Sequence, residues 1–229
     1  MNKALPENPE KPLVVLIHGL AAGPLSMSVL GRRLRAQGFR VEYWSYPSLF
    51  QPIKRHAARL REHLTGSLSH EPKIHIVAHS MGPILARAAV AGEPIPNLGR
   101  MVFLAPPNRG LPIARLAEKI VGRIFRPFVD LSSRPDSYVN SLPPLPDVEV
   151  GVIAAKYDLL IPVRRTHLDG ESLDADPSLQ GCAALNTRSA VHGDVGIKYF
   201  HNVIPATHIS ILISRRAANL CASFLNDVF

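Results

Sequence analysis

Apolar positions fall into two alternating rhythms along the chain. Residues 13–19, LVVLIHG, are a continuous apolar run closed by His-Gly, the pattern of a strand buried on both faces. Residues 25–38, LSMSVLGRRLRAQG, then place Met27, Leu30 and Leu34 at helical spacing, with Gly38 as a C-terminal stop. FRVEYW at 39–44 alternates like a strand, and PIKRHAARLREHL at 52–64 reads as a basic helix with Pro52 near its start. The same alternation continues with KIHIVAH (73–79, strand), GPILARAAVAG (82–92, helix), RMVFLAPP (100–107, strand) and VEVGVIAAKYD (148–158, strand). KYFHNVIPATH (198–208) contains a last short strand, and ISILISRRAANLCASFL (209–225) reads as one closing helix. Strands alternating with helices of this length predict an α/β fold: a mostly parallel central sheet flanked by helices, with right-handed crossovers. In such sheets ligands bind outside the carboxyl ends of the strands.

Only residues 106–146 interrupt the alternation. Leu116, Ile120, Ile124 and Phe128 recur every fourth position there, beside Ala117, Val121 and Phe125. Arg115, Lys119, Arg123 and Arg126 take the other positions, which predicts an amphipathic helix with a basic face. It reads either as an ordinary helix packed on the core or as a small helical cap over a site, able to touch lipid. No internal repeat and no linker composition appears, so residues 1–229 are expected to form one domain carrying this cap insertion.

Composition narrows the partners. Charged residues are 19% and hydrophobic ones 46%, which argues against long disordered tails. The net charge of +8 favours anionic surfaces, either nucleic acid or lipid headgroups. The basic residues are scattered, aromatic residues are only 6%, and no zinc-finger spacing or RNP-like run occurs, so no nucleic acid is expected. Transient contact with an anionic membrane or lipid surface remains open. Cys182 and Cys221 do not make a disulfide framework and are expected to be reduced. The amino end lacks a signal-peptide h-region, and no apolar run approaches the ~18 residues of a membrane span. A cytoplasmic location is the expectation.

The chemistry centres on KIHIVAHSMG. A strand running into small-x-Ser-x-Gly and then a helix is the pattern of a nucleophile elbow, with Ala78 and Gly82 as the small neighbours of Ser80. The helix after it would aim its N-terminal N–H groups at charge developing on a carbonyl oxygen. A serine nucleophile needs a base. Among ten histidines, His18 and His79 are tied up in their local motifs, and His56, His63 and His70 lie on or beside a polar helix and read as solvated. His167, His192 and His201 have no distinguishing context, whereas His208 comes after the last strand, at the same sheet edge as Ser80. The base in turn needs a carboxylate, in chain order between serine and histidine. Asp158 directly follows an apolar strand, and Asp194 is the alternative, nearer the last strand. Asp169, Asp174 and Asp176 look like surface loop. The oxyanion donors would be the backbone N–H of Met81 and, from the HGLAAG loop, that of Leu20, with Gly19 letting the backbone turn.

Taken in order, LIHG, VAHSMG, FLAPPNRG, AAKYDLLIP and PATHISIL resemble the α/β-hydrolase superfamily, specifically its bacterial lipase- and esterase-like members, over nearly the whole chain. The resemblance implies Ser80 as nucleophile, His208 as base, Asp158 as acid, and Leu20 and Met81 as the oxyanion hole. His18, Gly19, His79 and Gly82 would support them. It also implies no metal or cofactor, and carboxylic-ester hydrolysis through an acyl-enzyme. Two departures stand out. Ala78 replaces the usual first glycine of the elbow, and the stretch between Asp158 and His208 is long. Thioesterase, amidase or acyltransferase chemistry would use the same residues, and a non-catalytic hydrolase-like binding protein is the alternative from another class.

Overall fold

The computed structural model describes residues 11–114, 125–145, 147–168, 189–192 and 197–226. Among these, seven strands form one sheet: β1 (Leu13–Ile17), β2 (Arg40–Trp44), β3 (Ile74–His79), β4 (Leu98–Leu104), β5 (Val150–Ala155), β6 (Ser189–His192) and β7 (Ile197–Ile204). Their order is β2-β1-β3-β4-β5-β7-β6, and every pairing is parallel except β6 on β7. The helices are α1 (Ser28–Ala36), α2 (Ile53–Glu62), α3 (Gly82–Val90), α4 (Arg126–Asp130) and α5 (Arg215–Leu225).

Burial with period two explains the unbroken apolar runs. In β1, Leu13, Val15 and Ile17 join one core cluster and Val14 and Leu16 join the other. Met101 and Phe103 of β4 likewise separate from Val102 and Leu104. The first cluster takes in Ile53, Ala57 and Leu60 of α2 with Ile84 and Leu85 of α3. The second takes in Leu30 and Leu34 of α1 with Ala217 and Cys221 of α5. A strand covered by helices on both faces has no solvent side, so no polar alternation is left in its sequence.

Three regions differ from the sequence expectation. The last parallel strand, β7, is eight residues long, and the four-residue β6 adds an antiparallel edge. The closing helix is not continuous: a 3-10 turn spans Ser210–Ile213, and Ser214 breaks it at φ −72° and ψ 126°. The Ser214 side chain then accepts from the Ala217 N–H and starts α5, so an N-cap serine outweighs the apolar stripe. Most of the expected cap helix, residues 115–124, lies outside the described residues. The helical pattern expected through Phe128 does not hold at Phe125, which has φ −106° and ψ 76° and precedes α4. Pro127 in the first turn of α4 accounts for this, because proline clashes with a helical turn before it. Beyond α4 the chain returns to the core: Leu131 and Val139 are buried with the first cluster, and Asp130 accepts from the Ile53 N–H at 2.6 Å at the start of α2.

Candidate active site

β1 pairs with β2 on one side and β3 on the other, so the strand order reverses at β1 and opens a crevice at the carboxyl ends of β1 and β3. Ser80 sits there, leaving β3 with φ 57° and passing directly into α3. Such a conformation costs an L-residue about 1–3 kcal/mol. The Ser80 N–H donates to Leu104 O at 2.9 Å, which ties the turn to β4. A Cβ on Gly82 would stand 2.8 Å from the Ile17 carbonyl oxygen and 3.0 Å from that of His18. A Cβ on Gly19 would stand 2.8 Å from Ser80 Cβ. The strand end, the elbow and the loop after β1 therefore pass one another at contact distance, and the glycines are what make room.

His208 and Asp158 arrive from the loops after β7 and β5. His208 Nε2 lies 3.0 Å from Ser80 Oγ, and Nδ1 lies 2.7 Å from Asp158 Oδ2. A carboxylate at Nδ1 puts the proton there and leaves Nε2 to accept from the serine hydroxyl. The other Asp158 oxygen accepts from the N–H groups of Leu160 at 2.9 Å and Ile161 at 2.8 Å. Burial pushes the Asp158 carboxyl up, but the hydrogen bonds from His208 and the two amides outweigh it and hold the group below its ordinary value. The Asp158 side chain is 0% exposed and that of His208 is 12%, so water screens the pair little. Asp194, together with Asp169, Asp174 and Asp176, lies outside the described residues.

His79 holds the base from behind. Its Nε2 donates to the His208 carbonyl oxygen at 2.9 Å, and the two rings are 4.8 Å apart. Burial, then the neighbouring His208, lower its pKa to about 3, so the ring is neutral and its proton sits on Nε2, facing a carbonyl.

No known family profile matches the chain, and neither does any curated protein. Solved structures do. The mature Bacillus licheniformis lipase BlEst2 superposes with a TM-score of 0.69 at 12% identity, covering 98% of this chain and 96% of that one. A protein from Xanthomonas campestris described as a hydrolase of the α/β superfamily gives 0.55 at 15% identity, covering 94% and 98%. A thermophilic esterase from Thermogutta terrifontis gives 0.58 at 16% identity, covering 95% and 90%. The chain has the α/β-hydrolase fold.

Within this α/β-hydrolase fold, several side chains have roles that the sequence did not announce. His18 is wholly buried, and its Nδ1 donates to Gly19 O at 2.9 Å. Tyr46, just past β2, donates its hydroxyl to His18 O at 2.7 Å and stacks on the His18 ring at 4.3 Å and 13°. The alternation of Trp44 and Tyr46 signals two inward aromatics but not this contact. His56 corrects the solvated reading. It is wholly buried, 4.9 Å from the Tyr46 ring, because α2 turns Ile53, His56, Ala57 and Leu60 inward together. His63 and His70 do keep solvent access, with side chains 25% and 74% exposed. His167 is buried, His201 is half-buried, and their rings stack at 4.1 Å. Asn108, from the stretch FLAPPNRG, accepts from Arg87 of α3 at 3.3 Å and donates to Thr166 O at 2.7 Å, joining the loops after β4 and β5. Thr166 donates to Val163 O and so accepts from His201 Nε2 at 2.8 Å, which anchors the same loop on β7.

Beside the acid and the base, Tyr157, Leu159, Leu160 and Ile209 present apolar surface to solvent. Among the described residues, no helix is long and apolar enough to cross a membrane. Nor does any group of three or more His, Cys, Asp or Glu among them have the arrangement of a metal site.

Proposed function

We propose that the protein is a serine carboxylic-ester hydrolase of the lipase or esterase kind. The observation that carries this is the series Asp158–His208–Ser80, hydrogen-bonded at 2.7 and 3.0 Å with the serine held at positive φ on the strand–helix turn. Ser80 Oγ attacks the ester carbonyl while His208 Nε2 takes its proton, and Asp158 stabilises the imidazolium. The oxyanion receives the backbone N–H groups of Leu20 and Met81, the latter at the positive end of α3. His208 passes its proton to the departing alcohol, leaving an acyl-enzyme. Water, deprotonated by His208, then attacks the acyl carbon and releases the acid and free Ser80.

Acyl esters suit the surroundings. Leu159 is 97% exposed directly after the acid, and Ile209 directly after the base, so an acyl chain or a lipid surface finds apolar contacts beside the reacting atoms. The likeness to a lipase and an esterase in the solved structures agrees in kind. Hydrolysis of a p-nitrophenyl ester series from acetyl to palmitoyl is the test. Wild type is expected to turn over, and Ser80→Ala to lose at least ~10⁴-fold. Undiminished hydrolysis by the variant would falsify the proposal, and the chain-length profile separates esterase from lipase preference.

A further inference from the structure

We propose that Tyr46 and His18 form a clamp that aims the Leu20 N–H at the reaction centre, making Tyr46 a positioning residue of the oxyanion hole. This rests on the hydrolase reading above and goes one step behind it. Within a planar trans peptide the C=O and the N–H point in opposite directions. The Gly19 carbonyl and the Leu20 N–H belong to one such unit. The His18 ring holds the Gly19 oxygen at 2.9 Å, so it also fixes which way the Leu20 N–H faces. One unit earlier, the Tyr46 hydroxyl holds the His18 oxygen at 2.7 Å. Two successive peptide planes are thereby fixed by side chains, on the loop whose Gly19 runs against Ser80.

The clamp is built from buried, neutral parts. Tyr46 lies in the core between Trp44 at 5.1 Å, His18 at 4.3 Å and His56 at 4.9 Å. The nearly parallel stack, 13° between rings, sets the plane of the His18 imidazole and with it the line of its Nδ1–H. Burial keeps the phenol protonated and the imidazole uncharged, so both remain donors to their carbonyls. The partner of Nδ1 is a carbonyl, which leaves only the Nδ1–H tautomer. An oxyanion donor works by being aimed before the charge develops. A residue that aims it contributes to turnover more than to substrate binding.

Tyr46→Phe keeps the ring, its volume and its stacking, and removes only the hydroxyl. Purified wild type, Tyr46→Phe and Ser80→Ala would be compared on p-nitrophenyl butyrate for kcat and KM, and by inhibition with an aryl trifluoromethyl ketone, whose Ser80 adduct carries an oxyanion. For Tyr46→Phe, kcat is expected to fall about 10- to 100-fold with KM within about threefold. Ketone affinity should fall by about the same factor as kcat. A kcat and a ketone affinity both within about twofold of wild type would overturn the clamp, as would a fall in kcat without a matching loss of ketone affinity. Should Tyr46→Phe fail to fold, the pair His18→Asn and His18→Leu decides. The asparagine amide can still donate to Gly19 O, so it should keep at least about tenfold more kcat than the leucine variant, and equal losses sink the idea. A wild type without turnover defeats the hydrolase reading and the clamp together. An active wild type beside an unaffected Tyr46→Phe defeats the clamp alone.

Discussion

Replacing His79 by phenylalanine removes the donor to the His208 carbonyl while keeping a ring against the imidazole, 4.8 Å away in the native pair. His208 then loses a tether that sets its distance to Ser80. Turnover of a p-nitrophenyl ester is expected to fall about tenfold or more at nearly constant KM. His79→Gln, whose amide nitrogen can occupy the Nε2 position, should recover most of it. Equal loss in both variants would mean that His79 serves packing only. Ser80, His208 and Asp158 could be grouped from sequence because their chemistry demands particular residue types at strand ends in a fixed order, and the structure brings those three into hydrogen-bond contact. Tyr46 and His56 could not be read that way. Their place depends on how α2 and the loop after β2 turn in three dimensions, and a histidine among the arginines of α2 looks like any solvated position.

At the scale of elements, the turn between β3 and α3 is where backbone and backbone come closest. A valine at Gly82 would drive its Cβ to 2.8 Å from the Ile17 carbonyl, which belongs to β1 and cannot swing aside. Gly82→Val is therefore expected to cost about 2 kcal/mol or more in urea unfolding and to abolish turnover together with it. The parallel strands were legible because burial on two faces leaves uninterrupted apolar runs, as in β1 and β5. The antiparallel edge β6 was not, since a four-residue strand carries too few positions for a period to show. The break at Ser214 is hidden in the sequence for a different reason. An apolar stripe continues through it, and only the serine's own bond to the Ala217 N–H reveals a new helix start.

At the scale of the whole molecule, histidines kept neutral by desolvation govern acid stability, and His75, His79 and His201 are the most strongly shifted. His79 and His201 have pKa values lowered to about 3 and His75 to about 4, with burial as the leading cause in each. In the unfolded chain each would titrate near 6.5. Below that value the unfolded state binds protons that the folded state refuses. Stability is therefore complete above about pH 6.5 and declines as pH falls toward the folded values, by up to about 1.4 kcal/mol per pH unit for each histidine. Urea midpoints measured from pH 7 to pH 4 should drop steeply, and replacing His201 by a neutral residue of similar size should flatten the slope. A flat profile across that range would contradict the buried neutral state.

The strand order also has a consequence in time. β1, β3 and β4 with their helices are encoded by residue 104, but the base arrives only with β7, whose Tyr199 pairs with Val150 of β5. Arming the serine therefore needs two strand pairings beyond those that build its turn, β4 with β5 and β5 with β7. A chain emerging from the ribosome can thus shape the strained serine turn long before anything is present to deprotonate it. A serine hydroxyl without its base is a poor nucleophile, so the half-made protein is chemically silent. The docking of β7 arms it. In a refolding experiment, labelling of Ser80 by a fluorophosphonate should lag behind the recovery of far-ultraviolet circular dichroism.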